Sequence, residues 1–151
     1  MANVIYRGPI QREPRTINLP VAGAYLPGTI VSSDGSVLTE VAAAEASLAG
    51  TPGTRLLVLS NRRFYDQGPD DAYAANETGV AYRTEGDQEY QARFAAGTYA
   101  KGDALTVTAG EMAAAAAGDI VVAFYDGDGA TLTAGDRDDI VIATTSFVAA
   151  A

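Results

Sequence analysis

The dipeptide Gly-Asp stands at 102–103, 118–119 and 135–136, and each time an apolar run follows within a few residues: ALTV, IVVAF and IVIA. Glycine supplies positive φ and aspartate bonds its own local backbone, so each pair marks a turn that launches a strand. Apolar runs this short make strands rather than stable helices. The second half of the chain is thereby confined to short β segments. "MAAAAA" (112–117) offers a helical competitor, because alanine is the best helix former. Its alanines fit between Gly110 and Gly118, which leaves barely one and a half turns. The expectation is a small-residue strand that pairs with ALTV across Ala109-Gly110-Glu111.

The first half reads the same way. Pro27-Gly28 fits the centre of a type II turn. Ile30-Val31 opens a strand, Asp34-Gly35 turns it, and residues 37–41 return. "AAAEASLAG" (42–50) suits a short helical turn ending at Gly50, or an irregular crossover. "TRLLVLSN" (54–61) is a continuous apolar run and reads as a buried strand. "RRFYDQGPDDAYAANETG" (62–79) is too rich in Gly, Pro, Asn and Asp for regular structure, so a long loop is expected. "VAYRTE" (80–85) and "EYQARFA" (89–95) are expected as two strands joined by a tight turn around Gly86-Asp87. Many short strands at such spacing indicate an all-β sandwich or barrel.

Residues 1–20, MANVIYRGPIQREPRTINLP, are different. Pro9, Pro14 and Pro20 recur at intervals of five or six, with Arg7, Arg12 and Arg15 between them. Proline is excluded from central strands and helix interiors. An extended N-terminal arm is expected over 1–20, ahead of a β-rich domain over 21–151. Val4, Ile5, Tyr6, Ile10, Ile17 and Leu19 make it too apolar for a free tail, so the arm is expected to order on a partner.

Composition removes several chemistries. The chain has no cysteine, histidine or tryptophan. Ser-His-Asp and Cys-His machinery are excluded, as is a zinc site of the usual Cys/His kind. No run of about 18 apolar residues is present, so no membrane-spanning helix is expected. The N-terminus lacks the basic-then-apolar order of a signal peptide, which implies synthesis in a cytoplasm. A chain of 151 residues fits one domain and can bury roughly 70% of its unfolded surface.

The net charge of −9 is unevenly spread. Residues 1–63 hold six arginines against four acids, and residues 64–151 hold four basic residues against fifteen acids. Two differently charged surfaces, or a charge excess that serves only solubility, would account for this. Nucleic-acid binding is not expected, since it needs a dense basic patch.

The acids invite a catalytic or metal reading. "YDGDGATLTAGDRDD" (125–139) holds Asp126, Asp128, Asp136, Asp138 and Asp139. Read as a calcium loop from Asp126, it fails at three places: Ala130, Thr131 instead of glycine, and Arg137 at position twelve. Two Gly-Asp turns account for the aspartates instead. Asp70, Asp71 and Glu77 lie together in the 62–79 loop, but nineteen acids make chance groupings common. Arg62-Arg63-Phe64-Tyr65, with Tyr73 downstream, combines guanidinium and aromatic side chains. These are typical anchors of protein interfaces.

Three stretches resemble the capsid decoration, or cement, proteins of tailed bacteriophages. They are Leu26-Pro27-Gly28-Thr29-Ile30-Val31, the loop YDQGPDDAYAANETGVAY with GDQEYQARFA, and YAKGDALTV with GEMAAAAAGDIVVAF. The resemblance covers roughly residues 20 to 145. It implies an all-β body, a small barrel or sandwich of β-tulip-like form, with an extended N-terminal arm. Such a body sits on the outer surface of an assembled shell and bridges neighbouring major capsid proteins, as a homotrimer or a dimer. It carries no catalysis and no cofactor. The contact residues expected on this basis are Val4, Ile5, Tyr6, Arg7, Ile10, Arg12, Arg15, Arg62, Arg63, Phe64, Tyr65 and Tyr73. The rival from another class is a carbohydrate- or receptor-binding virion module using Tyr65, Tyr73 and the acidic loops.

Overall fold

The three Gly-Asp turns close identically in the computed structural model, which describes residues 5–44 and 56–151. Gly102, Gly118 and Gly135 take φ of 90°, 91° and 86°, the left-handed region a type II turn requires at its third residue. Each following aspartate donates its backbone N–H to the carbonyl three residues back, at 3.0, 3.0 and 3.1 Å. Its carboxylate then accepts the N–H of that same residue, Ala100, Ala116 or Thr133, at 2.8 Å. The same closure recurs at two turns where the closing side chain is not the aspartate of a Gly-Asp pair. Glu77 accepts from Ala74 N–H at 2.7 Å and Gln88 from Glu85 N–H at 2.9 Å. Asn76 and Asp87 hold the positive-φ position there.

The described residues form twelve strands: β1 Thr16–Pro20, β2 Ile30–Ser33, β3 Leu38–Glu40, β4 Leu57–Ser60, β5 Thr78–Arg83, β6 Glu89–Phe94, β7 Gly97–Tyr99, β8 Ala104–Thr108, β9 Glu111–Ala114, β10 Ile120–Tyr125, β11 Ala130–Leu132 and β12 Asp136–Val148. The fold is all-β. One sheet runs β1-β5-β4-β2-β3, all antiparallel. A second closes into a barrel, β10-β12-β6-β9-β8, with a parallel contact between β6 and β9 at Phe94 and Met112. β7 and β11 pair as a two-stranded ribbon. No helix of the described residues is long and apolar enough to cross a membrane.

Locally encoded hairpins form as expected. Asp34 accepts the N–H groups of Ser36 and Val37, and β2 returns as β3 with Ser33 opposite Leu38. The Pro27-Gly28 turn is closed by Thr29 N–H on the Leu26 carbonyl at 3.1 Å. Residues 104–108 and 111–114 pair across the Ala109-Gly110 turn, so the alanine run is a strand where described as β9. β4 is buried at every residue. The expectation for 42–50 lies mostly outside the described residues; Ala43 and Ala44 lie beside β8.

One expected hairpin does not form. β5 and β6 are close in sequence but pair into different sheets, β5 with β1 and β4, β6 with β12 and β9. The turn at Asp87 carries the chain across from one sheet to the other. Its closure by Gln88 is local and says nothing about which strands pair.

There are two apolar cores, and the larger is shared: Ile30, Val58 and Tyr82 of the five-stranded sheet pack in it with the barrel residues. The larger one fills the barrel and its mouth, with two clusters of rings: Tyr6, Tyr82 and Tyr90 with centroids 5.7 to 6.0 Å apart, and Phe94, Tyr99 and Tyr125 at 4.9 to 5.7 Å. Such tilted and edge-on pairs add to the burial of the rings. The smaller core is aliphatic, built from Val21, Val31, Leu38, Leu57, Leu59 and Ala81 around Tyr73. Residues 5–20 belong to this body. Ile5 and Tyr6 are buried in the larger core, and Thr16–Pro20 is the edge strand of the five-stranded sheet.

Candidate binding surface

Three large apolar side chains are almost fully exposed: Phe64 at 98%, Ile10 at 85% and Tyr65 at 80%. Two of them sit on one short turn, Arg63–Tyr65, which follows β4 directly. That turn is held by a buried polar frame. Asn61 donates to the Gln67 carbonyl at 2.8 Å, and the Gln67 side chain accepts Arg62 N–H at 2.7 Å and donates to the Asp71 carbonyl at 3.0 Å. Asn61 and Gln67 are both buried, so these bonds are shielded from water. Asp66 takes the left-handed conformation that reverses the chain after Tyr65.

Tyr73 anchors the frame from the smaller core. Its hydroxyl donates to the Ser60 carbonyl at 2.6 Å, and burial pushes its pKa up to about 12. Its ring lies 5.0 Å from the Arg62 guanidinium, and Tyr65 lies 5.8 Å away. Tyr73 therefore supports the turn and presents no surface of its own.

Arg93 fixes the far end of the loop. It is 6% exposed and spends its donors on three turns: Nε to the Pro27 carbonyl at 2.9 Å, Nη1 to the Gly135 carbonyl at 2.7 Å, and Nη2 to Pro69. Asp70 completes the set at 3.0 Å from Nη2, with Arg137 beside it. The hydrogen bond from Arg93 holds the Asp70 carboxyl below the usual carboxylate range. Arg93 thus ties loop 61–77 to the barrel and to the turn before β2.

Beneath the Arg63–Tyr65 turn lies a groove of about 790 Å³ on the open face of β1, β5 and the end of β4. Thr16 and Asn18 from β1 face Tyr82 and Val80 of β5 across the ladder, and Thr78 continues the row. Two ion pairs border the groove, Arg62 with Glu77 at 3.2 Å and Arg63 with Glu13 at 2.7 Å. The second ties the turn to the segment before β1, where Tyr82 also donates to Glu13 at 2.8 Å. The Ala74 N–H, and then Arg62, keep the Glu77 carboxyl below its ordinary range.

The expected contact residues are thus divided. Arg62, Arg63, Phe64 and Tyr65 come together at the groove. Ile10 is exposed on its own short turn, and Arg12 and Arg15 are exposed near it in sequence. Arg7 pairs with Asp139 at 3.3 Å. Ile5, Tyr6 and Tyr73 are interior. Val4 lies outside the described residues. Sequence reading missed Gln67, Asn61 and Arg93. Arg93 takes its partners from turns far along the chain, whereas Asn61 and Gln67 bond within their own loop, where no turn motif of the sequence marks an inward-facing amide.

The acids of 125–139 are occupied elsewhere. Asp126 takes Lys101 at 3.1 Å, Asp138 accepts the Tyr125 hydroxyl at 2.6 Å, and Asp136 accepts both Thr133 donors. Burial, with Asp138 adding to it, pushes the Tyr125 pKa up to about 12. Among the described residues no three acidic side chains gather as metal ligands. Asp71 likewise closes a turn on Gly68 N–H at 2.8 Å. No protein-family model and no curated protein matches the chain.

Proposed function

We propose that this chain is a capsid decoration protein that binds the outer surface of an assembled phage shell and cements neighbouring major capsid proteins. The observation that carries the reading is the Arg63–Tyr65 turn. It presents Phe64 and Tyr65 to solvent on a frame of buried hydrogen bonds, directly after Arg62 and Arg63. Exposed aromatics held rigid lose little entropy on docking, and aromatic and arginine side chains dominate interface energetics. The resemblance of residues 20 to 145 to decoration proteins supplies the partner. Binding that favours the expanded shell would stabilise it by mass action.

Ile5 and Tyr6 are core residues, so removing residues 2–15 would test folding rather than docking. Point changes at exposed positions separate the two. Phe64→Ala is expected to weaken binding to purified expanded shells by about tenfold or more, with an unchanged melting temperature. Ile10→Ala is expected to act in the same direction. Sedimentation of labelled protein with shells measures both. Unchanged affinity in the Phe64→Ala, Ile10→Ala double variant would falsify this docking face. The arginines add a salt-sensitive component, so raising ionic strength should also lower affinity.

A further inference from the structure

We infer that the groove floored by Thr16, Asn18 and Thr78 and walled by Tyr65 is a binding site for a neutral saccharide. Its floor is a sheet face carrying short hydroxyl and amide side chains. Thr16, Asn18 and Thr78 are exposed, and none of the three makes a side-chain hydrogen bond within the chain. They stand at successive outward positions of neighbouring strands, so their directions are fixed by the ladder. A row of unoccupied donors and acceptors on a fixed backbone, beside an exposed aromatic ring, matches a sugar. The ring takes the apolar C–H face, and the row takes the hydroxyl groups.

Charge selects against other ligands. The groove is lined by two arginines and two glutamates, and each arginine is paired with one glutamate. In a chain of net charge −9 this is a locally neutral site. A phosphate, a nucleotide or an acidic peptide would have to break the Arg62–Glu77 or Arg63–Glu13 pair to gain a free cation. A neutral polyol takes hydrogen bonds without disturbing either. An extended peptide is disfavoured for a separate reason. Peptides add to sheets at an edge rather than on a face, and the β1 edge is bounded by Pro14 and Pro20.

The inference does not rest on the decoration reading, because it concerns the isolated chain. The test is an amide-resonance titration of the full-length ¹⁵N-labelled protein with maltohexaose, cellohexaose, chitohexaose and laminarihexaose. A heparin hexasaccharide and a neutral proline-free peptide serve as comparators. Saturable shifts with at least one neutral hexasaccharide are expected at Thr16, Asn18, Tyr65 and Thr78, with a dissociation constant unchanged by added salt. Asn18→Ala with Thr78→Ala should weaken that binding by about tenfold, two lost hydrogen bonds, and leave the melting temperature and shell binding as they were. Failure of all four neutral sugars at millimolar concentration, binding only of heparin or of the peptide, or full affinity in the double variant would each overturn it. Loss of shell binding with sugar binding intact would count against the decoration reading alone.

Discussion

Segments 61–77 and 125–139 are both acidic, both turn-rich and both launch a strand, yet only the first leaves aromatic side chains in water. Their acids do the same work. Asp71 and Glu77 close turns in one, as Asp136 does in the other, and Asp70 and Asp126 are each paired with a cation. What differs is the residue types between the acids. Segment 61–77 places Phe64 and Tyr65 outside while its amides and Tyr73 point inward. Segment 125–139 turns its one aromatic, Tyr125, into the barrel core. A count of carboxylates therefore ranks these segments wrongly. The informative signal is a large apolar side chain left in water by a loop whose backbone is tied down by side-chain hydrogen bonds.

The strongest way to break this contrast is to remove what fixes the first loop to the barrel. Arg93→Met would leave the carbonyls of Pro27, Pro69 and Gly135 without their buried donor. A loss of about 3–4 kcal/mol is expected in urea unfolding, the scale for an unsatisfied buried polar cluster. Shell binding of the folded fraction should fall as well, since the Arg63–Tyr65 turn loses an anchor. A change below about 1 kcal/mol would mean that the loop holds itself without the barrel.

Tyr73→Phe makes a finer cut. It keeps the ring beside Arg62 and removes the hydroxyl that bonds Ser60. The expected cost is about 1–2 kcal/mol, as the Ser60 carbonyl loses this donor and the Val80 N–H this acceptor. Amide exchange should quicken across 61–67 and not across 125–139. In the second segment, Asp138→Ala removes the acceptor of the Tyr125 hydroxyl and should cost about 1 kcal/mol. It should leave shell binding untouched. Equal losses of binding from both variants would erase the distinction between the two segments.

How much of this was legible follows from range. Turns encoded within four residues were readable: Asp34-Gly35, Pro27-Gly28 and the Gly-Asp pairs all form. Strand identity was readable for β4, β8 and β10 because their apolar runs are bounded by turn residues. Pairing between sheets was not. Nothing within the β5–β6 connection distinguishes a hairpin from a crossing between sheets, because Gln88 closes the turn either way. The prolines of 1–20 suggested an extended arm that orders on a partner; within the described chain Ile5 and Tyr6 pack into the larger core, and Thr16–Pro20 is an edge strand. Arg93 lies on β6 between buried Ala92 and Phe94, where alternation predicts a solvent-facing position. The turns at Pro27, Pro69 and Gly135 cover that outer face, and no local pattern announces a cover contributed from such distances.

The smallest expected effect concerns the charge on a turn-closing side chain. The chain holds its own control, because Gln88 makes with a neutral amide the closure that Glu77 makes with a carboxylate. Glu77→Gln should therefore keep the turn and lose only what depends on charge. In the folded chain the Ala74 N–H, followed by Arg62, lowers the Glu77 pKa. The unfolded chain then binds more protons around the ordinary carboxylate pKa, so stability rises with pH there. The contribution of Glu77 is fully present above that pKa and fades as pH falls through the lowered folded value. Parent and Glu77→Gln should thus differ at neutral pH, with the parent slightly more stable, and should converge as pH falls through the lowered folded pKa of Glu77. Melting curves across pH measure this directly. A gap that stays constant into acid would show that the carboxylate contributes shape rather than charge. That result would place the Arg62–Glu77 pair among the many exposed ion pairs with no net worth.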